Sequence, residues 1–268
     1  MHSRVTINRI AQLTLLLSLS QVVHAEDDET AIEAVSPEAA PVLPGEAAPE
    51  WKVVAWTDGQ DRDVGSLRDK IVVLDFWGTW CGGCLQTVPV LKKLERRYAE
   101  KDVVFLSIHT AGTEMEVIKD VLQREGWSIP TGLDRGESPT DGTTVRRFGI
   151  VGYPTVVVIG HDGTVTYNSS ADMMPERSKF TLQEYEEICR DLAIPWPITF
   201  EGNRNREEVM ADLQLLATSL YRRKIDAAIA ARVSANSVRR DKLSVVPSDA
   251  QETSESSALK SGSTARSP

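Results

Sequence analysis

The sequence predicts an α/β domain with a central mixed β-sheet flanked by helices, and three observations carry that prediction. Ile71–Phe76 is an apolar run broken only by Asp75, the composition of a strand covered on both faces. After it, Leu85, Val88, Leu91, Leu94 and Tyr98 recur at helical spacing, while Lys92, Lys93, Arg96 and Arg97 take the opposite side. Val103–Ile108 is again apolar, and a strand–helix–strand unit of this length implies parallel pairing through a right-handed crossover. By contrast, Thr155–Ile159 and Thr164–Tyr167 flank His161-Asp162-Gly163, and Asp-Gly favours the tight turn of an antiparallel hairpin. Parallel and antiparallel pairs in one chain make the sheet mixed.

Taken in order, residues 1–25 have the form of a secretory signal: Arg4 and Arg9, an apolar stretch from Ile10 to Ser20, and Val23-His24-Ala25 as a small-residue cleavage site. The apolar stretch falls short of the roughly 20 residues that span a membrane, although retention as an uncleaved anchor stays open. The expected location is therefore extracytoplasmic, for example periplasmic. Cleavage leaves 268 − 25 = 243 residues, enough for one domain with additions. It also removes two of the 30 basic residues and none of the 39 acids, so the formal charge moves from −9 to −11. A surface of that sign, with no basic stripe, excludes nucleic acid as an expected partner.

Residues 26–49 are acidic and rich in Ala and Pro and read as a flexible spacer. Trp51–Trp56 has strand composition and Asp58-Gly59 is a turn signal, which predicts an added N-terminal hairpin or edge strand. Ser66–Asp69 is a single helical turn before the central strand. Pro89, lacking an N–H, should kink the helix that begins near Cys81. Thr113–Glu125 fits an amphipathic helix, Ile129–Leu133 a short strand, Asp134–Gly142 a loop, and Val145–Phe148 the end of a helix. Thr181 with Glu184 has the spacing of a capping box, opening a helix that Pro195-Trp196-Pro197 ends. The domain is thus expected over residues 50–192, with a helical extension over 193–233. In that extension Val209, Leu213, Leu216 and Leu220 form a stripe that must cover either the domain's own surface or a partner. Residues 234–268, rich in Ser, Thr and Ala, are expected to be a disordered tail.

Cys81 and Cys84 carry the chemistry. If Cys81 opens the helix, Cys84 lies about 4.5 Å further along the axis and most of a turn round, so the two sulfurs can bond without backbone movement. Unpaired N–H groups and the positive end of the helix dipole favour thiolate at Cys81. Cys81 is then the nucleophile and Cys84 the resolving thiol. Zinc would need two more ligands, and no second Cys-x-x-Cys or nearby His pair supplies them. Leu85 excludes the Cys-x-x-Cys-His of c-type haem attachment. A binding module with a structural disulfide remains the rival from another class.

Asp75-Phe76-Trp77, Trp80, the Cys pair and Pro89 together resemble thioredoxin, and Gly149-Ile150-Val151-Gly152-Tyr153-Pro154-Thr155 resembles its cis-proline loop. The secretion signal and the extra segment between these halves are similar to the TlpA/ResA-like branch; the resemblance covers roughly residues 50–170. It implies a thioredoxin fold with N-terminal strand additions, a helical insertion before the cis-proline loop and a C-terminal helical extension. It also implies a thiol–disulfide oxidoreductase, favouring reduction, that uses the Cys81–Cys84 disulfide with no other cofactor and no metal. Asp75 would exchange a proton with Cys84. The backbone of Tyr153, held by Pro154, would pair with an extended substrate segment, and Trp80, Gly82 and Gly83 would complete the docking surface. Protein thiols and disulfides are the implied substrates, with a membrane-embedded electron donor. A peroxiredoxin-type peroxidase would want Pro seven and Thr three residues before its cysteine; neither Cys81 nor Cys84 has them. Thioredoxin has Gly-Pro between its cysteines, and many TlpA/ResA-like proteins have Pro at the second place, often with Glu at the first. Gly82-Gly83 supplies neither rigidity nor charge, which predicts a more mobile turn. Trp77 is divided between packing and chemistry; His109, at the strand edge where the active site should lie, could tune Cys81 but is expected as a solvated loop residue; and Cys189 is expected as a buried inert thiol.

Overall fold

Seven consecutive buried residues, Ile71–Trp77, form the strand on which the sheet turns. The computed structural model describes residues 40–200 and 204–244. Within them β1 is Val53–Trp56, β2 is Ile71–Trp77, β3 is Val103–His109, β4 is Thr131–Asp134, β5 is Thr155–Ile159 and β6 is Val165–Asn168. They lie in the order β1-β4-β3-β2-β5-β6. β2 pairs parallel with β3 and antiparallel with β5, so parallel and antiparallel ladders meet on it. β3 and β4 are parallel, while β1 on β4 and β6 on β5 are antiparallel. The helices are α1 Gly82–Tyr98, α2 Met115–Arg124, α3 Thr143–Phe148, α4 Ser169–Asp172, α5 Pro175–Asp191 and α6 Arg206–Ser244. A 3₁₀ turn at Gly65–Leu67 leads into β2, and the expected N-terminal strand is the sheet edge β1.

The pleat sends alternate residues of β2 to opposite faces. Ile71, Val73 and Trp77 join one core cluster with α1, α2, α5 and α6, whereas Val72, Leu74 and Phe76 join a second with α3, Trp51 and Trp56. Asp75 shares the parity of Val73 and Trp77, so its carboxyl is directed to the face that α1 covers. The stripe Val209, Leu213, Leu216 and Leu220 is buried in that first cluster and covers the domain's own surface. α6 is tied to α1 at two levels: the Gln214 side-chain amide donates to the Gln86 carbonyl (3.1 Å), and the Tyr98 hydroxyl donates to Asp226 (2.7 Å). Ion pairs Lys224–Glu184 (2.6 Å) and Arg223–Asp191 (2.8 Å) tie it to α5.

Three expectations are corrected. The spacer does not reach residue 49, because part of it supplies partners to the edge strand β6. Gly45 N–H donates to the Val165 carbonyl (2.8 Å), Val165 N–H to Glu46 (2.8 Å) and Ala48 N–H to Gly163 (2.9 Å). Backbone pairing holds this segment where composition shows no core to bury. Thr181 does not cap a helix, since α5 begins six residues earlier at Pro175, where a missing N–H costs nothing. Thr181 instead donates back to the Arg177 carbonyl (3.3 Å). The last helix runs to Ser244, into the stretch expected to be disordered. Residues up to Ala230 form one unit; Ala231–Ser244, helical throughout, belong to a second. The signal at 1–25, the rest of the spacer and residues 245–268 lie outside the described residues.

Candidate active site

β2 ends at Trp77, and Gly78-Thr79-Trp80 turns the chain into α1. Cys81 is the N-cap in extended conformation, and the Cys84 N–H donates to Cys81 Sγ (3.1 Å). The two cysteines are joined as a disulfide with their Cα atoms 5.2 Å apart. Both are almost covered, Cys81 at 4 % exposure and Cys84 at 2 %. Gly82 leaves the approach open, because a Cβ there would meet nothing within 4 Å. Gly83 is buried at the start of the helix.

Asp75 is 2 % exposed, its Oδ1 has no hydrogen-bond partner, and burial pushes its carboxyl up to about 8. Thus the acid on the α1 side of the sheet is predominantly protonated at neutral pH while the disulfide is intact. Tyr221 of α6 lies in the same cluster as the two cysteines, and its hydroxyl is raised by burial and by the Asp75 carboxylate.

Across the cysteines, Tyr153 precedes Pro154 through a cis peptide bond. Its ring meets that of Trp80 edge-on at 5.7 Å, and its hydroxyl donates to the Pro139 carbonyl (3.3 Å). Trp80, directly before Cys81, is half exposed, so an aromatic pair of Trp80 and Tyr153 stands beside the cysteine turn. The structure therefore places Trp80 next to the Cys81–Cys84 disulfide and against Tyr153, and buries Asp75 on the face of β2 that α1 covers. Trp77 is packing: it is buried, and its indole N–H donates to Ser107 Oγ (3.2 Å). Cys189 is fully buried and unpaired, its thiol pushed up to about 11 by burial and by Asp212.

His109 overturns its expectation. It is the last residue of β3, in register with Trp77, and has no exposed surface. Burial lowers its imidazole to about 4. The sequence signal for this was weak: a histidine ending an apolar run looks solvated until the parallel register places it beside the end of β2. Tyr221 was missed for another reason, since nothing local in α6 marks which residue will come to feel Asp75.

Residues 43–187, more than half of the chain, match the Redoxin family. The chain is a TlpA/ResA-like member of the Redoxin family. It is 29% identical over 141 residues to "Thiol-disulfide oxidoreductase ResA" of Bacillus thuringiensis subsp. konkukian, covering 53% of this chain and 75% of that protein. To the ResA of Halalkalibacterium halodurans it is 31% identical over 133 residues, covering 50% and 70%. A solved thiol-disulfide oxidoreductase from Bacteroides fragilis aligns with a TM-score of 0.42 at 19% identity, over 52% of this chain and 98% of that one. This Redoxin-family chain is a thioredoxin-like disulfide oxidoreductase. Among the described residues, no group of three or more His, Cys, Asp and Glu side chains is assembled to hold a metal ion, and no helix is long and apolar enough to cross a membrane.

Proposed function

We propose that this chain is an exported reductase of protein disulfides, with Cys81 as nucleophile and Cys84 as resolving thiol. The single observation that carries the reading is the Cys81 Sγ held at the N-terminus of α1 and accepting the Cys84 N–H (3.1 Å), because that bond stabilises a thiolate at Cys81 over one at Cys84. In the reduced protein the Cys81 thiolate attacks one sulfur of a substrate disulfide. A mixed disulfide forms, and the first substrate sulfur leaves as thiolate. Cys84 then gives its proton to the fraction of Asp75 that is ionised and attacks Cys81 Sγ. The second substrate thiol is released, the Cys81–Cys84 bond is restored, and two electrons have passed to the substrate. Burial pushes the Asp75 carboxyl up to about 8, so it can both take and return a proton near neutral pH.

Trp80 and Tyr153 form the rim on which an extended substrate segment lies, with the backbone before Pro154 supplying pairing and Gly82 leaving room beside the sulfurs. Export follows from the signal at residues 1–25, and a reductase outside the cytoplasm must be recharged by a membrane-embedded donor. Substrates are exported proteins with paired cysteines. The test is the reduction potential of the Cys81–Cys84 pair, read by Trp fluorescence in dithiothreitol or glutathione buffers. A value near about −270 mV supports the reductase; one near about −120 mV reverses the direction to disulfide formation. The Cys84→Ala variant should accumulate a mixed disulfide on Cys81, visible by mass, and failure to trap one would remove Cys81 from its role.

A further inference from the structure

His109 is held by three neighbours that leave it one protonation state. Its Nδ1 lies 2.7 Å from the Thr110 carbonyl oxygen, which only accepts, so Nδ1 carries the hydrogen. Its Nε2 lies 2.8 Å from the Thr79 backbone nitrogen, which only donates, so Nε2 presents a lone pair. The ring stands edge-on to Trp77, centroids 4.9 Å apart. Thr79 is two residues before Cys81, inside a turn closed by the Cys81 N–H donating to the Gly78 carbonyl (3.0 Å). Between them the Trp80 indole folds over Gly78, where a Cβ would come within 2.8 Å of the ring. Thus one imidazole lone pair fixes the peptide that sets the direction of both Trp80 and Cys81.

We propose that His109 is a positioning residue for disulfide exchange: by accepting the Thr79 N–H it holds the Gly78–Cys81 turn so that Cys81 Sγ stays capped on the Cys84 N–H and Trp80 stays against Tyr153. The proposal rests on the reading of Cys81 as nucleophile. No backbone or side-chain acceptor other than His109 bonds the Thr79 N–H among the described contacts, so the imidazole is not redundant there. When the turn loosens, Cys81 samples positions off the helix end and its thiolate loses the N–H that stabilises it. The resulting defect is in reactivity, not only in stability.

The experiment uses the full chain with His109→Leu, which removes both bonds, and His109→Gln, whose side-chain amide oxygen reaches about as far as Nε2. Two readouts are taken on the reduced protein: the pH dependence of iodoacetamide alkylation at Cys81, located by peptide mass, and the rate of insulin disulfide reduction. His109→Leu should raise the Cys81 thiol by about one pH unit and slow exchange about tenfold, the size of one lost hydrogen bond. His109→Gln should return both to within about twofold of the native chain. Where His109→Leu does not fold, Thr79→Pro deletes the donor with the imidazole in place and should give the same two shifts. Equal Cys81 reactivity in the native and donor- or acceptor-deleted chains overturns the proposal, as does a Gln variant as impaired as the Leu variant. Alkylation of Cys84 before Cys81 in the native chain would instead overturn the assignment of the nucleophile, which is a separate failure.

Discussion

Asp75 has a buried oxygen that accepts nothing, and the cost of charging it governs how the oxidised protein responds to pH. Its carboxyl titrates at about 8 in the fold against roughly 4 in the unfolded chain, so the folded state binds more protons between those values. Stability from the neutral acid is therefore fully present below about pH 4 and is lost as pH rises through 8. His109 runs the other way: with a folded value of about 4 against 6.5 unfolded, its contribution is present above pH 6.5 and lost as pH falls through 4. Asp75→Asn, which cannot ionise, should flatten the alkaline limb and make the oxidised protein more stable at pH 8 by on the order of several kcal/mol. Urea midpoints at pH 5 and pH 8 measure this, and parallel slopes for both proteins would contradict it. In the proposed mechanism the same variant should slow the resolving step by removing the acceptor for the Cys84 proton.

At the scale of elements, α3 and the N-terminal segment show how a loop position fixes a contact. Gly149 closes α3 with φ +60°, and a Cβ there would stand 2.2 Å from the Ala40 carbonyl oxygen. Gly149→Ala should therefore cost about 2 kcal/mol or more, from the left-handed backbone and from expelling the segment whose Val42 N–H donates to the Phe148 carbonyl. Thermal melting gives the loss, and limited proteolysis should show earlier cleavage within residues 40–48. The same elements mark what patterning conveyed. β2, α1, β3 and the β5–β6 hairpin were legible because period and turn chemistry are local. The start of α5 was not, because Thr181-x-x-Glu184 satisfies the capping pattern equally well in a helix interior.

On the scale of the whole molecule, α6 is part of the core. Leu216 is 3 % exposed in the cluster that contains both cysteines. Leu216→Ala should lower the unfolding free energy by about 2–5 kcal/mol by leaving a cavity, measured by urea denaturation with an unchanged m-value. An unaffected midpoint would mean that the helix is dispensable to the fold.

The amino-acid order by itself determined the mixed sheet, the helix that begins at Cys81-Gly82-Gly83-Cys84, the unusual acid at Asp75, and the proline after Tyr153, since each is written in neighbouring residues. Only the tertiary structure decided that His109 turns inward to hold Thr79, that Gly45, Glu46 and Ala48 pair with the β6 edge, that Tyr98 meets Asp226, and that Tyr221 packs on Tyr167. Those contacts join residues 30 and 128 apart in the chain. Strand register and helix docking create them, and no local period or spacing encodes which side chains a register will bring together.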